Sequence, residues 1–320
     1  MTLKTHGRYR YSPISSRPHY QWPGGKRLAF YVAVNVEHFH FGEGLGHTPS
    51  YATPQPDVRN FAWRDYGLRV GIWRLFDLFE ELQIPACLLV NSAVYDYAPQ
   101  ILERARARGD EIVAHGRTNS ERQGDLDEAA ERALIDEATA TITRHEGHTP
   151  RGWLGPWISE TGSTPDLLKE AGYTYVLDWP LDDQPVWLAT RAGPLLAMPY
   201  PVEINDAPAM LTRHHTAADF AGLIVDQFDE MLRQSARQPL VCAISLHTPV
   251  VGQPFRLVQL RRALQHIRTH ADSGHVWFTR PGEIADHVVT LPRGVVPGSE
   301  TWTSKSSDNS SANRGSGPSR

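Results

Sequence analysis

The chain has 320 residues, 40% of them hydrophobic, which is enough to bury a substantial core in one large α/β domain or two medium ones. Its 32 Lys and Arg are interspersed with 36 Asp and Glu, so the sequence offers no basic footprint for nucleic acid. The beginning has no apolar segment of the secretory type, and no stretch approaches the roughly eighteen apolar residues of a membrane span. We therefore expect a cytoplasmic protein that binds neither nucleic acid nor membrane.

The first strong structural signal is the segment LAFYVAVNVEHFHF, residues 28–41. Residues 1–26, which precede it, are rich in Pro, Tyr, Arg and Gly without periodicity and predict an extended arm over the surface. The segment itself is apolar and β-branched until Glu37, His38 and His40. Such a run is typical of a strand covered on both faces, where ionisable groups are rarely buried unless they are paired or bind something. The end of this strand is the first candidate for a site.

Strands and helices alternate along the rest of the chain. After a long Gly- and Pro-rich loop at 42–57, apolar residues at helical spacing predict helices over 66–82, 99–108, 125–145, 165–171, 216–235 and 255–270. Short apolar runs predict strands at 86–90, 111–115, 151–157, 173–177, 195–199, 240–247 and 276–279. This alternation predicts parallel βα units in a single (β/α) barrel domain, with a doubly wound open sheet as the alternative.

The domain prediction has three parts: an arm over 1–26, a barrel over 27–296 and, because the end is rich in Ser, Gly and Asn, a disordered tail over 297–320.

No Gly-rich phosphate-binding fingerprint follows the first strand, so a dinucleotide fold has little support. Cys87 and Cys242 lie inside predicted strands, which favours core residues in a reducing compartment over a disulfide across adjacent strands.

Several predicted strands end in residues that can act as ligands, acids or bases: Glu37 with His38, His115, Arg151 with Trp153, Asp178 with Trp179, and His247. In a parallel barrel the C-terminal ends of all strands lie on one face, so we expect these side chains to converge there. Taken singly, each is a weak signal, because a histidine at a strand end is more often a hydrogen-bonded rim residue than a ligand.

These residues, together with the segments EIVAHG, RGWLGP, LLKEAGY, DWPLDDQPVW, EINDAP and HTPVVGQP, resemble the polysaccharide deacetylase (NodB-homology) superfamily. The resemblance extends from about residue 27 to residue 287, and within the superfamily it is greatest to the intracellular branch of allantoinases and cyclic-imide hydrolases. It implies an irregular (β/α)7-8 barrel that hydrolyses carbon–nitrogen bonds.

The resemblance also implies a set of metal ligands, which this sequence keeps only in part. In the family an early strand ends in two acidic residues, a base and a metal ligand, and here that pair is Glu37 and His38. A later His-x-x-x-His supplies two more ligands, and here it begins at His115 and ends at Asn119, a poor ligand for zinc. Two interpretations remain: a rearranged site in which His38 and His115, together with Glu37 and His247, hold one divalent metal such as zinc, or a metal-independent hydrolase. We favour a weakly bound metal or none.

Hydrolysis of an amide or imide needs an activated water, a stabilised oxyanion and a proton for the leaving nitrogen. By the resemblance, Glu37 is the general base, Arg151 holds it ionised, and His247 is the general acid. The predicted substrate contacts are Trp153 and Trp179 as walls for a ring, Asp178 beside them, Asn119 with His115 at the carbonyl, and Asn205 with Asp206 at a ureido or imide edge. For Asn205 and Asp206, a simple turn is the alternative.

The sequence thus predicts a hydrolase of non-peptide carbon–nitrogen bonds that acts on a small cyclic amide, imide or ureide. Two alternatives stay open: a deacetylase of polysaccharides or N-acetyl sugars, and a catalytically silent binding protein of the same fold. The only partners expected are the small-molecule substrate and, from the family resemblance, further copies of the chain in a dimer or tetramer.

Overall fold

The structure is a computed structural model that describes residues 4–44, 46 and 53–301. In these residues nine strands form one sheet: β1 Leu28–Val36, β2 Ala86–Val90, β3 Glu111–Ala114, β4 Gly152–Trp153, β5 Tyr175–Val176, β6 Val186–Leu188, β7 Leu195–Ala197, β8 Leu240–His247 and β9 Val276–Phe278. Their order is β6-β7-β5-β4-β3-β2-β1-β8, and β9 pairs with the first residues of β1. All pairs are parallel except β6 with β7.

The α-helices alternate with the strands: α1 Val58–Tyr66, α2 Ile72–Leu82, α3 Val94–Tyr97, α4 Pro99–Arg108, α5 Glu128–Glu146, α6 Thr164–Glu170, α7 Ala217–Gln234, α8 Thr248–Val251, α9 Pro254–Thr269 and α10 Pro281–Thr290. Irregular segments join the ends of the curled sheet, since Ser245 N donates to Ile204 O and Val241 N donates to Asp183 O. The predicted irregular parallel (β/α) barrel is therefore confirmed, and the open doubly wound sheet is not what forms.

The residues of β1 alternate between two buried environments. Leu28, Phe30, Val32, Val34 and Val36 face the helices, whereas Ala29, Tyr31 and Ala33 face the interior of the barrel. This alternation follows from the two-residue period of a strand, and burial on both faces explains the unbroken apolar run. The same alternation decides which side chains reach the barrel interior where the strands end.

Most predicted elements are present with shifted ends, and several others were missed. Strands β2 and β8 and helix α4 have the predicted bounds, whereas β6, α3, α8 and α10 had no prediction. The predicted helix at 66–82 begins earlier, as α1, and passes through a π-helical turn at Gly67–Gly71 into α2. Cys87 and Cys242 are buried and free, as predicted.

Residues 4–26 follow the barrel surface, and the buried Trp22 anchors them, with its Nε1 donating to Leu240 O at 3.0 Å. The predicted disordered tail lies mostly outside the described residues, and so does part of the predicted loop at 42–57. Within the described part of the chain, no helix has the length and apolar character that crossing a membrane requires.

Candidate active site

Three predicted site residues meet at the C-terminal edge of the sheet: Glu37 directly after β1, His115 directly after β3, and His247 at the end of β8. Each follows the alternation of its strand and faces the barrel interior, as Ala33, Val113 and Ala243 do below them. All three line a cavity of about 230 Å³. The predicted convergence of strand ends therefore holds for these three residues.

Glu37 is the centre of the charge arrangement. Its Oε1 lies 3.7 Å from His115 Nε2 and 3.6 Å from His247 Nε2, and its Oε2 lies 3.9 Å from Arg64 Nη1. Burial alone would raise the pKa of Glu37, but His247, His115 and Arg64 together lower it from 4.5 to about 2. Glu37 is thus a carboxylate at neutral pH in a mostly apolar cavity.

The cation next to Glu37 is Arg64, in α1, and not Arg151, to which the family resemblance gave this role. The Arg64 guanidinium lies 4.0 Å from the centre of the Phe39 ring, and its Nε donates to Asn60 Oδ1 at 3.3 Å. Burial lowers the pKa of Arg64 to about 10, which keeps it cationic at neutral pH. No sequence motif marks this residue, because most of α1 lies between the predicted loop at 42–57 and the predicted helix at 66–82.

The prediction that Arg151 orients Glu37 is wrong. It precedes β4, so it lies at the N-terminal edge of the sheet, opposite the cavity. There it binds Asp286 through both terminal nitrogens at 2.9 and 2.6 Å and donates to Gly282 O. A side chain at that end of a barrel strand cannot reach a group at the other end.

His247 is held by Asp206, which was predicted to contact substrate. Asp206 is fully buried, and its carboxylate accepts from His247 Nδ1 at 2.7 Å and from His247 N at 2.9 Å. Burial alone would lower the pKa of His247, but Glu37 and Asp206 raise it above 6.5. Asp206 therefore positions His247 and turns its Nε2 toward Glu37.

His115 and Asn119 face the same cavity from the loop after β3. His115 Nδ1 donates to Leu154 O at 2.7 Å, which leaves the buried Nε2 without a hydrogen-bond partner in the described residues. Asn119 Oδ1 accepts from Asn91 Nδ2 at 3.0 Å, so the remaining hydrogen-bonding group of its amide is the NH2. The Asn119 NH2 can therefore donate to a substrate carbonyl, while His115 Nε2 faces the same cavity.

The aromatic walls of the cavity differ from the predicted ones. Trp153 and Asp178 occupy positions that alternate outward, and both are buried behind the cavity lining: Trp153 Nε1 donates to Gln123 Oε1, and Asp178 accepts from Gly155 N. Trp179 Nε1 donates to Glu160 Oε2. None of the three lines the cavity, whose apolar wall is instead built from Phe39, Trp63, Leu154, Trp157, Ile158, Tyr200, Leu211 and Val250.

Two neighbouring residues in this wall have left-handed backbones, Trp157 with φ 70° and Ile158 with φ 53°. Non-glycine residues adopt this region at a cost in energy, and such residues concentrate at functional sites. Trp157 Nε1 donates to Asn119 O at 3.1 Å, and Ile158 N donates to Gly155 O at 2.9 Å. These bonds hold the strained turn against the cavity.

The cavity does not fit the predicted metal site. His38 has the outward position after β1, and its ring packs 4.7 Å from that of Tyr97, so it cannot join His115 as a ligand. In the described chain, one group of three His, Cys, Asp or Glu residues has its ligand atoms within 4.8 Å of one another: Asp229, His266 and His270. Asp229 lies on α7, His266 on α9 and His270 directly after α9, and none of the three lines the cavity.

Asn205 lines the cavity beside Asp206, on a segment that pairs with Ser245 of β8. Its Oδ1 is buried and has no hydrogen-bond partner in the described residues. This position agrees with the predicted contact to a substrate edge, whereas Asp206 faces His247 instead. Of the two residues, Asn205 thus faces the cavity and Asp206 binds His247.

The chain is similar in sequence or fold to three known proteins. A Schizosaccharomyces pombe protein named "Putative polysaccharide deacetylase" is 26% identical over 282 residues, 82% of this chain and 85% of that protein. PuuE allantoinase superposes with a TM-score of 0.78 at 29% identity and covers 89% of this chain and 99% of its own. A "probable Polysaccharide deacetylase" from Pseudomonas aeruginosa PAO1 gives 0.73 at 28% identity, covering 84% and 93%.

The family described as Polysaccharide deacetylase matches residues 64–176, which begin at Arg64 in α1 and end with β5. The matched segment includes His115 and the turn after β4, so it covers one side of the cavity. Together with the barrel and its strand order, these matches show a hydrolase fold shared by deacetylases and an allantoinase. Residues 64–176 thus match the polysaccharide deacetylase family, and the chain has the barrel fold of the NodB-homology superfamily.

Proposed function

We propose that the protein hydrolyses a non-peptide carbon–nitrogen bond in a small molecule, with cyclic imides and ureides as the first candidate substrates. The observation that carries this proposal is the ionised Glu37 between His115 and His247 in one small cavity. A base, an acid and hydrogen-bond donors for an oxyanion are the groups that amide hydrolysis requires.

In the proposed reaction, Glu37 takes a proton from a water molecule while the water oxygen bonds to the substrate carbonyl carbon. The Asn119 NH2 and the Arg64 guanidinium supply donors on the cavity side where negative charge develops on the carbonyl oxygen. The carbon–nitrogen bond then breaks, and His247 Nε2 gives its proton to the departing nitrogen. Asp206 keeps His247 Nδ1 protonated, so Nε2 is the atom that donates.

The size of the cavity supports a small substrate. At about 230 Å³ it lies below the roughly 300–1,000 Å³ of pockets that hold drug-sized ligands. The aromatic and aliphatic wall suits the faces of a flat ring. The second candidate is deacetylation of an N-acetyl sugar, which is favoured by the names of the S. pombe and P. aeruginosa relatives.

The Glu37→Gln variant tests the proposed role of the base. It keeps the size of the side chain but removes the carboxylate, so turnover should fall by roughly 10²–10⁴-fold. The measurement is kcat/KM of purified protein on allantoin, succinimide and N-acetylglucosamine oligomers. An active wild type whose Glu37→Gln variant keeps most of that activity would remove Glu37 from the base role.

Thermal unfolding provides the control, because the variant should unfold cooperatively and bind the same ligands. The assays should be repeated with a chelator and with elemental analysis. Because the cavity lacks a grouped set of three ligands among the described residues, we expect the wild-type rate to survive the chelator. Loss of the rate with the chelator, restored by a stoichiometric divalent metal, would contradict this expectation.

A further inference from the structure

Asn205 differs from the other amides in the cavity because its side chain has no partner in the described residues. It is 3% exposed, and its Oδ1 accepts no hydrogen bond. By contrast, Asn35 donates to Leu246 O, and Asn119 accepts from Asn91. A buried amide oxygen without a partner costs free energy unless a ligand or water pairs with it. The unpaired amide of Asn205 therefore points to a ligand contact.

The main chain around Asn205 is fixed on both sides. Its segment pairs with Ser245 of β8, and Ala209 N donates to Asn205 O at 3.1 Å. The next residue, Asp206, is committed to His247 through two hydrogen bonds. The amide of Asn205 is thus held next to the proposed general acid.

A carboxamide presents an acceptor oxygen and an NH2 donor side by side. The complementary partner is an H–N–C=O edge whose N–H and C=O point the same way, which is the cis arrangement. Small rings impose this arrangement on imides and ureides. An acyclic secondary amide, such as an acetamido group, is trans, so its N–H and C=O point in opposite directions.

We propose that Asn205 pairs with the cis H–N–C=O edge of a cyclic imide or ureide, and thereby selects rings over acyclic N-acetyl compounds. This inference rests on the proposed hydrolase function and adds the residue that selects among its candidate substrates. The apolar wall formed by residues such as Trp157 and Leu211 would cover the faces of the ring, while its edge meets Asn205.

The test is a double-mutant cycle in which a change to one side chain is combined with a change to one ligand group. Titration calorimetry measures the binding affinities in the Glu37→Gln background, so that turnover does not interfere. The ligands are succinimide and N-methylsuccinimide, which lacks the N–H. The proteins carry either Asn205 or Asn205→Leu, which fills a similar volume without hydrogen-bonding groups. With Asn205 present, methylation should weaken binding about tenfold, and in the Asn205→Leu protein it should have little effect.

An equal cost of methylation in both proteins would overturn the recognition by Asn205, because the N–H would then be contacted elsewhere or nowhere.

If Asn205→Leu does not fold, Asn205→Asp replaces it in the cycle. The carboxylate still accepts from the N–H but has no donor for the carbonyl. Succinimide should then bind more weakly than to the Asn205 protein while methylation still costs affinity, and unchanged succinimide affinity would overturn the paired contact.

Wild-type turnover separates failure of this inference from failure of the proposed function. Hydrolysis of N-acetylglucosamine oligomers in preference to succinimide, abolished by Glu37→Gln, would overturn selection for rings and leave the hydrolase function standing. Methylation-sensitive binding without hydrolysis of either compound would overturn the function and leave the Asn205 contact standing. Hydrolysis of succinimide in preference to the oligomers supports both.

Discussion

The acid and the base of the proposed reaction stabilise each other's charged forms. Glu37 Oε1 lies 3.6 Å from His247 Nε2, and the two side chains are 9% and 15% exposed, so water screens the pair weakly. The carboxylate therefore raises the pKa of His247, while the imidazolium lowers that of Glu37. An ionised base and a protonated acid can coexist over a wide range of pH.

The pH dependence of kcat/KM follows from these two shifts. Because the pKa of Glu37 is about 2, the acidic limb lies far below neutral pH, and because that of His247 is raised, the alkaline limb lies above 6.5. Asp206→Asn removes one of the charges that raise the pKa of His247, so it should move the alkaline limb to lower pH. A full pH profile of both proteins, with circular dichroism at each pH, measures the shift. An unmoved alkaline limb would mean that another group titrates.

Two arginines give a matched comparison of charge inside and outside the cavity. Arg64→Ala removes the cation 3.9 Å from Glu37 and should lower kcat/KM by about ten- to a hundredfold. Arg151→Ala breaks the surface pair with Asp286, where the side chains are 39% and 65% exposed. It should change the free energy of unfolding by less than about 1 kcal/mol and leave the rate unchanged.

Steady-state kinetics and thermal unfolding of both variants decide between the two assignments. A larger rate loss in Arg151→Ala than in Arg64→Ala would restore the assignment made from the sequence. The prediction for Arg151 failed because the sequence shows that this residue adjoins a strand, but it does not show at which end of the strand the side chain lies. The strand-end residues Glu37, His115 and His247 could be predicted because a buried apolar run marks each strand before its polar end.

At the scale of elements, the position of Arg64 depends on how α1 and α2 pack against the segment after β8. The π-helical turn between them brings Gly71 so close to this segment that a Cβ there would lie 2.1 Å from Thr248 O. Thr248 immediately follows His247. The approach of these two main chains thus fixes α1, which carries Arg64, relative to the general acid.

Gly71→Ala should therefore disturb both stability and catalysis. The added methyl group has to displace main chain, so we expect a loss of about 1–3 kcal/mol in the free energy of unfolding and a lower kcat/KM. The control is Gly222→Ala in α7, where a Cβ meets no atom within 4 Å and the residue is exposed. This change should stabilise the helix by roughly 0.5–1 kcal/mol. Urea unfolding measures both, and equal stability of the two variants would refute the packing argument.

Elements with a long, regular pattern could be predicted from the sequence with correct or nearly correct ends, whereas most short ones were predicted with shifted ends or missed. Strand β8 has seven buried residues of eight and was predicted with correct ends, whereas the three-residue strand β6 is too short to show a period. The early start of α1 was missed because its buried residues include Asn60 and Arg64, which do not form an apolar stripe. Two residues of the cavity wall, Trp63 in α1 and Trp157 in the turn after β4, were missed as well, because neither segment has a regular apolar pattern.

At the scale of the whole molecule, residues 4–26 are attached to the barrel by ion pairs and by a buried aromatic side chain. Arg8 binds Asp166 through both terminal nitrogens at 2.9 and 2.8 Å, and Arg17 binds Asp182. Trp22 packs inside the cluster that fills the barrel interior. None of the described residues in this segment lines the active-site cavity, so its contribution should be to stability.

Trp22→Ala tests whether this segment is an integral part of the barrel. Trp22 is 1% exposed, so truncation should lower the free energy of unfolding by about 3–5 kcal/mol. Tyr11→Ala, in the same segment but 90% exposed, should stay within about 0.5 kcal/mol of the wild type. Urea unfolding gives both values, and kcat of the folded fraction should be unchanged because Trp22 does not reach the cavity. If Trp22→Ala were as stable as Tyr11→Ala, the segment would be a surface appendage, and the core at this end of the barrel would close without it.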